Sequence, residues 1–175
     1  MRVMGVDPGL TRCGVGIVEQ APGARAELVA VGVVRTAPDL EYSRRLLRID
    51  EGIQEWLDMY RPDAMAVERV FAQQNLHSVT GTAQAAGIAM LIAARAGIPV
   101  ALHTPTEVKA AITGSGRADK AQVGAMVARV LRLSSAPTPA DAADAVALAL
   151  CHLWRGGVVN RYAAAAAQAR EKVAA

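Results

Sequence analysis

Apolar and polar residues follow two different rhythms along this chain, and the change between them falls near Pro38. Before it, short apolar runs are cut by turn residues. Val3–Asp7 is stopped by Pro8-Gly9, a strong turn dipeptide. Gly14–Gln20 reads as a second strand, Pro22 and Gly23 mark the next turn, and Glu27–Thr36 carries a β-branched run. Turns this short favour antiparallel neighbours. After Pro38, Leu46, Leu47, Ile49, Ile53, Trp56, Leu57 and Tyr60 recur at helical spacing, which predicts an amphipathic helix over Glu41–Tyr60. Pro62 ends it, and Ala64–Glu68 reads as a buried fourth strand.

His77–Gly97 is a helix rich in Ala and Gly, suited to close helix packing, and Pro99–Leu102 makes a short fifth strand. Helices are expected over Thr106–Ile112, Lys120–Leu131 and Asp141–Trp154, with Ser134–Pro139 as a stiff connector. There is no internal repeat. A strand meander followed by alternating helices and strands predicts an α/β fold, a five-stranded mixed sheet flanked by helices. The folded domain is expected over residues 1–157, with an Ala-rich tail at 158–175 loosely attached.

Composition changes this picture little. A chain of 175 residues suits one domain with a normal core. With one Phe, two Trp and three Tyr, that core must be mainly aliphatic. Nineteen Lys and Arg against sixteen Asp and Glu give a net charge of +3, compatible with nucleic acid but no proof of it, because phosphate binding needs clustered charge. Cys13 and Cys151 sit in apolar runs and read as buried free thiols. No apolar run reaches the ~18 residues of a membrane span, and the first residues lack the zones of a signal peptide. A soluble, cytoplasmic protein is expected.

Chemistry enters with the acids. Asp7 closes the first strand and Glu68 the fourth. If those strands are parallel neighbours, both carboxylates leave the sheet at its C-terminal edge, where ligand sites of α/β sheets gather. Asp141 and Asp144 are three apart at the start of the last helix and share a face. Taken singly, Asp7 fits an Asx turn as well as a ligand, and Asp141 with Asp144 fits an N-cap and a dipole-favoured acid. Glu68 has less reason to follow AMAV for structure alone. Convergence of all four would need cations, since neighbouring carboxylates raise one another's pKa. All-oxygen ligation suits Mg²⁺ or Mn²⁺, and two such ions ~3.5–4 Å apart can drive phosphodiester hydrolysis.

Four blocks, VDPGLTRCGVGI at 6–17, AVERVFAQQNLHS at 66–78, VKAAITGSGRADKAQV at 108–123 and DAADAVALALCH at 141–152, closely resemble the RuvC family of Holliday-junction resolvases. The blocks keep the family order and span residues about 3–155. The resemblance implies a ribonuclease-H-like fold and a homodimer whose two sites nick strands of like polarity at a four-way DNA junction. It implies Mg²⁺ held by Asp7, Glu68, Asp141 and Asp144, two ions for each site, and cooperation with a branch-migration motor complex. It places basic site residues on Lys109 and Lys120, and a base-distorting aromatic on Phe71. One departure is Ala86, where many members carry arginine before the glycine of the second helix.

Those positions have plainer readings as well. Lys109 and Lys120 are two of three lysines in an arginine-rich chain and could be solvated helix-surface residues. Phe71, the sole phenylalanine, could be a core anchor or a loop-borne wedge. Arg117, in the Gly114–Arg117 loop, and Arg69, beside Glu68, are candidates for DNA contact. His152 reads as structural rather than a ligand, and His77 and His103 carry no readable signal. The small residues Gly81, Ala85, Gly87 and Ala93 mark a candidate dimer face. Three other functions compete. The DPGLTRCGVGI turn also resembles the phosphate hairpin of the actin, sugar-kinase and Hsp70 superfamily, but the chain is short for two such domains and lacks a second glycine-rich hairpin. A junction-binding module that does not cut, and a ribonuclease-H-like nuclease with another substrate, are the remaining two.

Overall fold

The structure is a computed structural model that describes residues 1–70 and 76–155, without the side chains of 76–78. Phe71, the His77 side chain and the expected tail at 158–175 lie outside the described residues.

Five strands form one sheet in the order β3-β2-β1-β4-β5. They are β1 (Arg2–Asp7), β2 (Arg12–Gln20), β3 (Ala26–Arg35), β4 (Ala64–Glu68) and β5 (Val100–His103). The three-strand meander is antiparallel, as its short turns require. The two strands that follow helices, β4 and β5, add in parallel on the other side of β1. The helices are α1 (Tyr42–Tyr60), α2 (Leu76–Arg95), α3 (Pro105–Thr113), α4 (Lys120–Leu131) and α5, residues 140–155.

Boundaries moved where capping outweighed apolar periodicity. Thr104 and Glu107 form a reciprocal capping box, so α3 starts at Pro105 rather than Thr106. Asp119 and Gln122 do the same for α4 and place Lys120 at its first helical position. β2 begins two residues earlier than its apolar run because Arg12 pairs with Arg35 across the ladder.

Alternation along the strands divides the core in two. Met4, Val6, Val15 and Ile17 face α1 and α2, meeting Ile49, Ile53 and Leu57 from the apolar stripe of α1. Val3, Val18 and Ala66 face the other layer, where α3, α4 and α5 supply Val108, Val127 and Leu148. On that second face α5 rests directly on glycine. A Cβ on Gly5 would stand 1.9 Å from the Ala145 carbonyl oxygen, and one on Gly14 would stand 2.0 Å from that of Asp141. These approaches bring the start of α5 down onto β1 and β2.

Both cysteines are buried free thiols, with Cys13 pushed up to about 12 and Cys151 to about 11, chiefly by burial. Among the described residues no helix is long and apolar enough to cross a membrane. Three of the four small residues expected at a dimer face serve the chain's own packing. Ala85 and Ala93 are fully buried, and Gly81 lies against Leu10. Gly87 alone of the four is open, with nothing within 4 Å of a Cβ placed there.

Candidate active site and metal centre

The register of the parallel pair places Val6 opposite Val67, so Asp7 and Glu68 are the next residues off the same edge of the sheet. Both point to the α5 side, because each is one step in the alternation beyond a residue buried against α1 and α2. The first turn of α5 presents Asp141 and Asp144 to the same place. The four carboxylates, Lys109 from α3 and Lys120 from α4 line one cavity of about 330 Å³, floored by Val108, Val123 and Leu148.

Its electrostatics are uneven. Lys120 Nζ donates to Asp144 Oδ2 at 2.8 Å, and Arg12 Nε donates to Asp141 Oδ2 at 2.5 Å. That hydrogen bond to Asp144 is the main reason the Lys120 ammonium is held above its ordinary range. Asp7 and Glu68 have no ion-pair partner among the described residues. Burial, then the charges of Glu68, Asp144 and Asp141, push Asp7 up to about 8. Burial and Asp144 raise Glu68 as well.

The donor set therefore fits a hard divalent cation: oxygen ligands only, two of them half-buried carboxylates with no ion-pair partner among the described residues. Among the described residues no three acidic, histidine or cysteine side chains stand in a ready coordination shell. The physical reason is visible in the ion pairs, which draw Asp141 toward Arg12 and Asp144 toward Lys120.

The structure brings together six of the nine residues singled out in the sequence: the four acids, Lys109 and Lys120. Arg117 instead lines a separate open groove with Thr113, Ser115 and Gln122. Arg69 is exposed just beyond β4, its amide bonded to the His103 carbonyl at 2.8 Å. Phe71 lies outside the described residues. Arg12 was missed by sequence reasoning, since an arginine after a turn carries no signal until its partner 129 residues away is known. His152 is 3% exposed and its Nδ1 lies 3.2 Å from Nε2 of His103, which had shown no signal.

Comparison with known proteins agrees with this geometry. The family model for crossover junction endodeoxyribonuclease RuvC matches residues 3–152. The crossover junction endodeoxyribonuclease RuvC of Cutibacterium acnes is 72% identical over 169 residues, covering 97% of this chain and 86% of the relative. A solved structure of T. thermophilus RuvC in complex with Holliday junction substrate superposes with a TM-score of 0.84 at 37% identity, covering 89% of this chain and 94% of that one. A yeast mitochondrial Holliday junction resolvase, with a TM-score of 0.61 and 11% identity, covers 85% of this chain and 77% of its own and shares the fold alone. The sheet order with its flanking helices is ribonuclease-H-like. Edge chemistry, fold and relatives converge on a single assignment: the chain belongs to the RuvC family of crossover junction endodeoxyribonucleases, which are metal-dependent nucleases.

Proposed function

We propose that this protein resolves four-way DNA junctions by paired, symmetric nicks, using Mg²⁺ ions held by Asp7, Glu68, Asp141 and Asp144. The observation that carries the site assignment is the pair of half-buried carboxylates, Asp7 and Glu68, which have no ion-pair partner among the described residues and share a cavity with two more acids. Two ions for each site would supply an activated water and stabilise the leaving oxygen of the phosphodiester. Mn²⁺ satisfies the same oxygen donors.

The chain's own groups do the rest. Asp7 and Glu68 offer ligands from the rigid sheet, while Asp141 and Asp144 come from a helix wedged on glycine. Lys120, bonded to one oxygen of Asp144, would lie beside a cation held by that carboxylate, and its ammonium would suit a phosphate oxygen there. Lys109, on the same wall, is a second candidate for charge that builds on the phosphate. Arg69 and Arg117 extend the basic surface, and Phe71 is assigned to base distortion at the crossover through the family resemblance.

A four-way junction has paired strands of like polarity, so paired nicks call for two sites related by symmetry. Support for a homodimer lies on α2, where Ala83, Gly87, Leu91 and Ala94 form one outward stripe and Leu91 is 48% exposed. Changing Leu91 to Asp should yield a monomer that binds junctions more weakly and nicks one strand at a time. Sedimentation and nick counting on one sample check this; a variant that stays dimeric moves the interface elsewhere. The resemblance adds a branch-migration motor complex as partner and the cytoplasm as location.

The deciding experiment offers a labelled synthetic four-way junction and a matched linear duplex, with and without Mg²⁺. Symmetric, Mg²⁺-dependent nicks confined to the junction are expected. Tight binding without nicks would replace this reading with a junction-binding module.

A further inference from the structure

A second cavity, of about 420 Å³, opens on the α1–α2 side of the β1–β2 turn, across the sheet from the acids. Thr11, Arg12, Tyr42, Arg45 and Thr82 line it, so among the described residues it holds two arginines and no acid. We propose that it is a phosphate subsite for DNA strand backbone close to the cut, with Arg45 as its anchor. This rests on the nuclease reading above.

The anchoring of Arg45 carries the argument. Its Nε donates to Thr36 Oγ1 at 2.9 Å, and its Nη2 donates to Thr11 Oγ1 at 2.6 Å. Thr36 is itself buried, 6% exposed, and donates to the Leu10 carbonyl at 2.6 Å. The guanidinium is thus fixed in place by hydroxyls rather than by carboxylates. Arg2, Arg12 and Arg48 each pair with an acid, whereas Arg45 makes no ion pair among the described residues. It keeps its full charge, and of the five N–H donors of a guanidinium two are engaged, leaving three for the cavity. A held, unneutralised planar fork matches two oxygens of a phosphodiester.

Placement supports the same ligand. Asp7 and Arg12 bound one turn, so their Cα atoms lie no more than ~17 Å apart. That is a few nucleotides at about 3.4 Å of rise each. Arg12 lines this cavity while its Nε reaches Asp141, so it stands between the two sites.

The test is junction binding in EDTA, which prevents cutting, over a series of salt concentrations. Arg45→Ala should weaken binding about tenfold, the scale of one charge-assisted contact. It should also reduce the slope of log K against log[salt] by about 0.9, one phosphate contact. Arg45→Gln should lose the same slope, and its amide can still reach a threonine hydroxyl should the alanine variant fold poorly. Arg45→Lys should keep the slope and regain part of the affinity. Arg48→Ala is the control with unchanged slope, because Glu51 and Glu55 already accompany that charge. Parent-like slope and affinity in both Arg45→Ala and Arg45→Gln would reduce Arg45 to a bolt for the turn and overturn the subsite. A parent protein that ignores the junction would overturn the functional reading itself, and the subsite with it.

Discussion

Asp7→Asn is expected to lower junction nicking by at least about 10²–10³-fold, the scale of losing one preorganised charged group, while junction binding stays near the parent level. Asparagine keeps the shape and one oxygen but removes the charge that a divalent cation needs most at the buried end of the site. The basic surface is untouched, so binding and cutting should separate. Nicking at the parent rate would end the metal assignment.

The same substitution has a consequence for stability that activity does not report. Burial and three neighbouring acids push Asp7 up to about 8, against ~3.9 for an unfolded aspartate. Between those values the metal-free folded state holds a proton that the unfolded chain has released. Stability therefore falls as pH rises through this window, by up to ~1.4 kcal/mol for each pH unit. Asp7→Asn lacks the penalty. Its metal-free melting temperature should exceed the parent's at pH 8, by about 2–4 °C for each kcal/mol removed, and the gap should close near pH 4. Added Mg²⁺ should raise the parent and leave the variant nearly still. A constant offset at every pH would mean that burial of Asp7 is not what sets its proton affinity.

Gly14→Ala is the second large effect, and its target is the seat of α5. A methyl there would meet the Asp141 carbonyl oxygen at 2.0 Å and its carbon at 2.5 Å, both backbone atoms that cannot rotate away. The start of α5 must lift. Overpacking of this kind costs about 1–3 kcal/mol, and a 1 Å displacement of catalytic groups can cost about 10²-fold in rate. Loss of nicking should therefore exceed what the fall in stability explains. Gly87→Ala is the contrast for the fold of the chain alone, since no described atom of this chain lies within 4 Å of a Cβ placed there. Alanine should leave the helix as stable or stabilise it by up to ~1 kcal/mol, and any change in nicking would belong to the proposed dimer face rather than to the seat of α5. If Gly14→Ala melts and nicks like the parent, α5 does not rest on β2 as described.

Elements were legible where local rules governed them. Pro8-Gly9 and Pro22-Gly23 announced the turns of the meander, and the helical spacing from Leu46 to Tyr60 announced α1. The parallel pairing of β1 with β4 entered the sequence reading only as a condition, because a helix between β3 and β4 gives the chain room to cross over but does not say which strand it returns beside. Asp7 and Glu68 were legible as strand ends; their meeting at one edge depended on that pairing. A capping box decided the start of α3, which apolar periodicity missed by a residue. Arg45 was invisible, because hydroxyl partners at Thr11 and Thr36 give no pattern in sequence.

What the sequence determined by itself is thus the set of elements, the strand ends that carry Asp7 and Glu68 and the chemical type of the donors, since turns, periodicity and side-chain chemistry are local properties. The tertiary structure decided which charges meet. Strand order and the glycine seat under α5 bring Asp141 and Asp144 to Asp7. The fold hands Arg12 and Lys120 to two of the acids and, among the described residues, leaves the other two without an ion pair. It also takes Ala85 and Ala93 away from any partner and into the core. These outcomes depend on distances between segments far apart in the chain, and only packing sets those distances.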